Sequence, residues 1–168
     1  MLDAKLTDSL IKTLQYEMML YGKILTLAER KTDYLVMEDT TSLSDLTREE
    51  NLLAEQAQQL NKLREQLIGK IAVQLGKEST ALKLDDVKGL LPEERKTEIS
   101  GIQAKLKNTV ISLHVRNGIN QKLIENALKY VEFNLQLLAS PMPVMPLYGK
   151  SGHEVEPDAK ISRLDIKY

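Results

Sequence analysis

The 168-residue chain contains no cysteine and no tryptophan, one phenylalanine and only two histidines, His114 and His153. Without cysteine, neither a disulfide nor a thiolate metal site can form, and two histidines are too few for a histidine-rich metal site. The net charge is −1, so the composition gives no electrostatic bias toward nucleic acid or an anionic membrane. We therefore predict no metal, no cofactor and no nucleic-acid partner.

Catalytic patterns are also missing from the sequence. Glycines are scattered singly, so no glycine-rich phosphate loop is present, and His114 has no histidine companion at metal-ligand spacing. The adjacent pairs Glu49-Glu50 and Glu93-Glu94 point about 100° apart on a helix, which suits first-turn charges better than an acid–base pair. We predict that the protein is not an enzyme.

No segment has the pattern of a signal peptide or a membrane span. The first ten residues, MLDAKLTDSL, lack a basic stretch followed by an apolar block. A long uncharged run that ends at Gly149 is interrupted by Pro141, Pro143 and Pro146, which a membrane helix would not tolerate in that number. We therefore expect a cytoplasmic protein that does not insert directly into a membrane.

Four of the five prolines lie at the end of the chain, and only Pro92 precedes residue 141. Apolar residues at steps of three and four predict one helix from Leu6 to Leu35 and another from Leu46 to Leu75, which ends at Gly76. Two long helices with a short connection predict an antiparallel, coiled-coil-like hairpin. Arg64 lies near its seam, and we expect the stem of that side chain to pack while the guanidinium reaches solvent.

A third long helix is predicted from Pro92, as its first helical residue, to Ala139, after a short helix at 85–90. The fold class is therefore all-α: a long antiparallel hairpin plus a third long helix, in an elongated three-helix bundle. We predict a helical domain over residues 1–140 and a proline-broken, flexible tail over 141–168, whose composition is typical of disorder.

The third helix carries two apolar stripes about a third of a turn apart. The first stripe contains Ile99, Ile102, Leu106, Val110, Leu113, Asn117, Asn120, Ile124, Ala127, Val131 and Leu138. The second stripe contains Val115, Ile119, Leu123, Asn126, Tyr130, Phe133 and Leu137. We expect the first stripe to pack on the hairpin, with Asn117 and Asn120 at the seam, where a buried amide costs stability but fixes the register.

The second stripe has two interpretations. In one, the third helix lies between the two hairpin helices and both stripes belong to the core. In the other, the second stripe stays exposed and receives a partner helix, because a large apolar surface on a monomer is unusual without a role. Gly118 lies within this region, and its missing side chain would let a neighbouring helix approach closely.

Several segments together resemble the FlgN-type flagellar export chaperones over residues 5–153. They are the turn at Glu38-Asp39, the segment LTREENLLAEQAQQLNKLREQL, the spaced Asn117 and Asn120, the segment ALKYVEFNLQLL and the tail opening LYGKSG. The resemblance implies a bacterial cytoplasmic chaperone of type III secretion. Such a chaperone binds the C-terminal helical ends of hook-associated proteins, prevents their aggregation and delivers them to the export gate.

The resemblance also implies where these partners bind. The client site corresponds to the second stripe, and the docking site for the cytoplasmic domain of the export gate corresponds to Tyr148. Leu147 would complete an apolar anchor, and Gly149 and Gly152 would let the chain turn beside it. The alternative is a structural or adaptor coiled-coil protein that buries the second stripe against a second copy in a homodimer. The last eight residues have no predicted role.

Overall fold

The computed structural model describes residues 3–78, 82–140, 147–148 and 154–155, the last two pairs by their backbone. Within these residues the helices are α1 (Ala4–Val36), α2 (Thr40–Gln74), α3 (Leu84–Gly89) and α4 (Glu93–Ala139). Two-residue strands β1 (Leu147–Tyr148) and β2 (Glu154–Val155) pair antiparallel, with Leu147 opposite Val155. The predicted all-α class is confirmed, while the strand pair was not predicted.

A three-residue connection joins α1 to α2. Glu38 takes a positive φ of 56°, and the backbone N–H of Asp39 donates to the Tyr34 carbonyl oxygen at 3.0 Å. This is the left-handed cap that closes many helix ends. Asp39 then caps α2, because its carboxylate accepts a hydrogen bond from the Ser42 N–H at 3.0 Å. Hydrogen bonds from the Ser42 hydroxyl and backbone lower the pKa of Asp39.

The two long helices form the predicted antiparallel hairpin. Near the turn, the Lys31 ammonium pairs with the Glu50 carboxylate at 2.7 Å. At the far end, the Asp3 N–H donates to the Gln74 amide oxygen at 3.2 Å. Early residues of α1 therefore meet late residues of α2, as an antiparallel hairpin requires.

The end of α2 and both ends of α3 and α4 agree with the sequence to within a residue, whereas α1 begins two residues before Leu6 and α2 begins six residues before Leu46. Gly76 has a φ of +70° directly after α2, and the Lys77 N–H donates to the Ala72 carbonyl oxygen at 3.0 Å, so Gly76 closes the helix as predicted. The Pro92 carbonyl oxygen accepts from the Lys96 N–H at 3.0 Å. Pro92 therefore caps α4 and is not its first helical residue.

The hydrophobic core lies among the first half of α1, the second half of α2, α3 and the start of α4. Full burial of such a side chain contributes roughly 1.5–3 kcal/mol. The cluster consists of Leu10, Ile11, Leu14, Leu67, Ile68, Ile71, Ala72, Leu82, Val87, Ile99 and Ile102.

The chain divides into two compact units, Met1–Leu123 and Ile124–Tyr168, and α4 contributes residues to both. The predicted helical domain, 1–140, and flexible tail, 141–168, stay a prediction, because most of the tail lies outside the described residues. Among the residues that the structure describes, no helix is long and apolar enough to cross a membrane.

Candidate functional site

A buried amide holds α4 against α1. Asn120 is buried; its Nδ2 donates to the Ala28 carbonyl oxygen at 2.8 Å, and its Oδ1 accepts from the Thr32 hydroxyl at 2.7 Å. Any slip of one helix along the other would break both bonds, so this contact defines the register of the two helices. Asn117, by contrast, is exposed. The structure therefore does not bury Asn117 at the seam, contrary to the prediction from the sequence.

A second set of polar contacts holds the beginning of α4 against α1. The Arg95 guanidinium pairs with the Asp8 carboxylate at 2.7 Å and with Glu98 at 3.1 Å, and the Gln15 amide donates to Glu98 at 3.2 Å. Contacts between α1 and α4 thus follow the same order along both helices, and the two run parallel. Together with Asn120, these bonds hold the first part of α4 in one position.

One ion pair within the hairpin corrects an expectation. The Arg64 guanidinium does not simply reach solvent: its Nη1 donates to Glu17 Oε2 at 2.8 Å, and Arg64 is 27% exposed while Glu17 is 2% exposed. A second hydrogen bond joins Arg64 to Asn61. Burial raises the pKa of Glu17, and the nearby Arg64 charge opposes that rise. The sequence placed Arg64 near the seam but gave no sign of its buried acidic partner.

The second stripe is exposed in the structure. All of its residues are exposed except Leu123, which is half-buried, and the two aromatic side chains, Tyr130 and Phe133, are 67% and 56% exposed. The second stripe is therefore not part of the core, and the interpretation in which both stripes are buried is wrong. At its beginning, Val115 and Ile119 line a shallow cleft of 300 Å³ beside Leu25 of α1.

The first stripe packs only in part. Before residue 123, Ile99, Ile102 and Asn120 are buried, while Val110 is 41% exposed. The later members are exposed, from 38% at Ile124 to 66% at Leu138. The expectation that the whole stripe packs on the hairpin is therefore wrong beyond residue 123. A helix of 33 residues, the length of α1, cannot flank all 47 residues of α4.

Two rows of mostly apolar, mostly exposed residues run along the end of α4 at heptad spacing. We name the first row the front seam; it repeats the second stripe without Val115 and consists of Ile119, Leu123, Asn126, Tyr130, Phe133 and Leu137. We name the other row the back seam; it consists of Ile124, Leu128, Val131, Leu135 and Leu138, all exposed. Both rows advance by alternating steps of four and three, as coiled-coil seams do.

Leu128 and Leu135 belong to neither stripe predicted from the sequence. The predicted first stripe contains Ala127, the neighbour of Leu128, and has no member between Val131 and Leu138. The two leucine side chains are 63% and 56% exposed. The signal that could have found them is the unbroken alternation of four and three from Ile124 to Leu138.

Charged and amide side chains separate the two seams on one side of the helix. At about 100° per residue, the centres of the two seams lie about 140° apart. Glu125, Lys129, Glu132 and Gln136 occupy most of the remaining surface, and all four are exposed. The end of α4 is thus apolar over more than half of its circumference, an arrangement suited to binding other helices.

The residues predicted to dock at the export gate are only partly described. Leu147 and Tyr148 form β1, whereas Gly149 and Gly152 lie outside the described residues. His114 is exposed, and the described residues contain no group of three or more potential metal ligands.

Comparisons with known proteins identify the family. No curated protein and no solved structure matches the chain. A family model described as FlgN protein matches residues 1–156, which covers both long hairpin helices, all of α4 and the strand pair. The chain therefore belongs to the FlgN family, a family of flagellar export chaperones.

Proposed function

We propose that the protein is a cytoplasmic bacterial chaperone that binds the C-terminal helical ends of hook-associated proteins and delivers them to the flagellar export gate. The observation that carries the proposal is the exposed front seam of α4, which is apolar and aromatic in a chain of a chaperone family. An amphipathic client helix would lie along this seam in the helix-in-groove manner.

The seam explains why such a client would need a chaperone. Helical ends that pair only in the assembled filament are unpaired before export, and their apolar stripes promote aggregation. A heptad seam on α4 offers the partner that those stripes lack. Asn126, an amide within the apolar row, would favour one register of the bound helix over its neighbours, since a seam asparagine needs a polar partner.

The front seam can be tested by introducing a charge. Phe133→Asp and Leu123→Asp each place a carboxylate where the client helix would be buried, and we expect either change to abolish capture of the hook-associated protein in a pull-down. Leu52→Asp is the matched control, because Leu52 is an exposed leucine of α2 outside both seams. Unchanged capture by Phe133→Asp and Leu123→Asp, with circular dichroism showing intact helices, would refute the client assignment.

We further propose that Leu147 and Tyr148, with Gly149 and Gly152 beside them, dock on the cytoplasmic domain of the export gate. Tyrosine is among the residue types that most often contribute the largest share of binding energy in an interface. Tyr148→Ala should leave the affinity for the client unchanged and weaken binding to the gate domain, measured by titration calorimetry. If the gate domain binds the Tyr148→Ala variant and the unsubstituted protein with equal affinity, the tail has no part in delivery.

A second candidate function is self-association through the same aromatic residues, as in a structural or adaptor coiled coil. A homodimer would bury Tyr130 and Phe133 against a second copy. Sedimentation of the isolated chain separates the two functions. A tight dimer that Phe133→Asp dissociates would favour self-association, and a monomer favours client binding.

A further inference from the structure

The back seam of α4 has no role in the proposed function. Its five residues are aliphatic, and none is less than 38% exposed. They repeat the coiled-coil spacing without a polar interruption, so this row is as well suited to a partner helix as the front seam. Exposed apolar surface of this kind marks an interaction site more often than it serves no purpose.

One bound helix cannot cover both seams. A helix buries a stripe about 100° wide against its neighbour, whereas the centres of the two seams lie about 140° apart on α4. A client helix on Tyr130 and Phe133 would leave Leu128 and Leu135 in water. Full coverage of the end of α4 therefore requires two helices.

The same face of α4 already packs against a helix earlier in its sequence. The back seam continues the first stripe, whose members Ile99 and Ile102 are buried in the core and whose Asn120 is hydrogen-bonded to α1. A helix is thus the kind of partner that this face accepts, and the continuity favours a helix on residues 124–138 as well.

Charges beside the two seams indicate what each helix should carry. Lys122 and Lys129, one heptad apart, lie next to the front seam, whereas Glu125 and Glu132, also one heptad apart, lie next to the back seam. Residues that flank a coiled-coil seam select partners by opposite charge. The front seam therefore suits a helix with acidic flanks, and the back seam suits a helix with basic flanks.

We propose that residues 124–138 bind two amphipathic helices of the client at once, one with acidic flanks on the front seam and one with basic flanks on the back seam. The identity of the partner rests on the proposed function; the requirement for two helices rests on the two seams. A hook-associated protein would accordingly contribute two helical segments, not its C-terminal end alone.

The test compares the affinity of full-length hook-associated protein for four chains: the unsubstituted protein, Phe133→Glu, Leu135→Glu and Leu52→Glu. Glutamate keeps helix propensity. Leu52→Glu is the matched control because Leu52 lies on α2, outside both seams, and is 60% exposed, close to the 56% of Leu135. We expect Phe133→Glu and Leu135→Glu each to raise Kd at least tenfold, with their effects multiplying in the double variant, and Leu52→Glu to change it less than twofold.

The outcomes separate this inference from the proposed function. If only Phe133→Glu weakens binding, a single helix binds and the two-helix inference is overturned while the proposed function survives. If the unsubstituted chain does not bind the client, both are overturned. If the free chain sediments as an oligomer that Leu135→Glu dissociates, a second copy covers the back seam, and the two-helix inference is again overturned.

The absence of cysteine permits a direct measurement of which client segments bind. Tyr130→Cys on the front seam and Leu128→Cys on the back seam each create a single thiol that can carry a photo-activated cross-linker. If two helices bind, the two positions should cross-link to two separate client segments. The cross-linker at position 130 should reach a segment with acidic flanks, and the cross-linker at position 128 should reach a segment with basic flanks. Cross-links from both positions into the same segment would overturn the proposal.

Discussion

At the scale of single residues, Glu17 combines a carboxylate with nearly complete burial, since its side chain is 2% exposed. The Arg64 guanidinium, at 2.8 Å, compensates its charge. Burial raises the pKa of Glu17, so the folded protein binds a proton more tightly at this site than the unfolded chain does. The contribution of Glu17 to stability is therefore greatest below its ordinary pKa and is lost as the pH rises through the raised value.

This pair gives a prediction about stability and pH. Arg64→Ala removes the charge that compensates buried Glu17 and should lower the free energy of unfolding by about 3 kcal/mol at pH 7. The loss should shrink on acidification, because a protonated Glu17 no longer needs the guanidinium. Urea denaturation at pH 4 and pH 7 measures both effects, and Glu17→Gln is the control, since without that carboxylate the effect of Arg64→Ala should not depend on pH.

At the scale of helices, the sequence predicted positions well and burial less well. Periodicity predicted α1, α2 and α4, and Gly76 marked the end of α2, because caps and breakers act locally. Burial depends on what lies opposite a stripe. The stripe of α4 reads the same before and after residue 123, yet its buried members all precede that residue, so the sequence pattern alone could not show where packing stops.

Two further differences have the same origin. The sequence could not pair Arg64 with Glu17, which is 47 residues away, and it placed Asn117 at the seam although only Asn120 is buried. The two asparagines lie about 60° apart around the helix, on the same face. The apolar pattern therefore admits both at the seam, and the sequence offers no means of choosing between them.

Gly118 gives a prediction at the scale of the helix. An added Cβ at this position would meet no atom within 4 Å, so the glycine does not serve a close helix approach as the sequence suggested. Gly118→Ala should raise the free energy of unfolding by about 1 kcal/mol through helix propensity. Gly76→Ala is the contrasting control: Gly76 has a φ of +70°, and alanine there should destabilise. Thermal unfolding followed by circular dichroism compares them.

At the scale of the whole molecule, the hydrophobic core and the seams proposed to bind the client lie in different parts of the chain. Every residue of the core cluster precedes position 103, whereas the front seam covers 119–137 and the back seam 124–138. A chain that ends at Leu123 should therefore keep the melting temperature of the full protein within a few degrees and lose client binding. Ile99→Ala in the full chain should instead cost about 2–5 kcal/mol. A large fall in melting temperature on truncation would show that the seams contribute to folding.

The three-residue connection between α1 and α2 has a consequence for how the protein folds during synthesis. Its short loop brings Lys31 and Glu50, only 19 residues apart, together at a small entropic cost. Arg95 must find Asp8 across 87 residues. We expect the hairpin to form first and α4 to dock afterwards, as contacts of low sequence separation form early. Until α4 emerges from the ribosome, the apolar face of the hairpin that α4 later covers is exposed to water. The nascent hairpin is then in the same situation as the unpaired helical ends of its proposed clients.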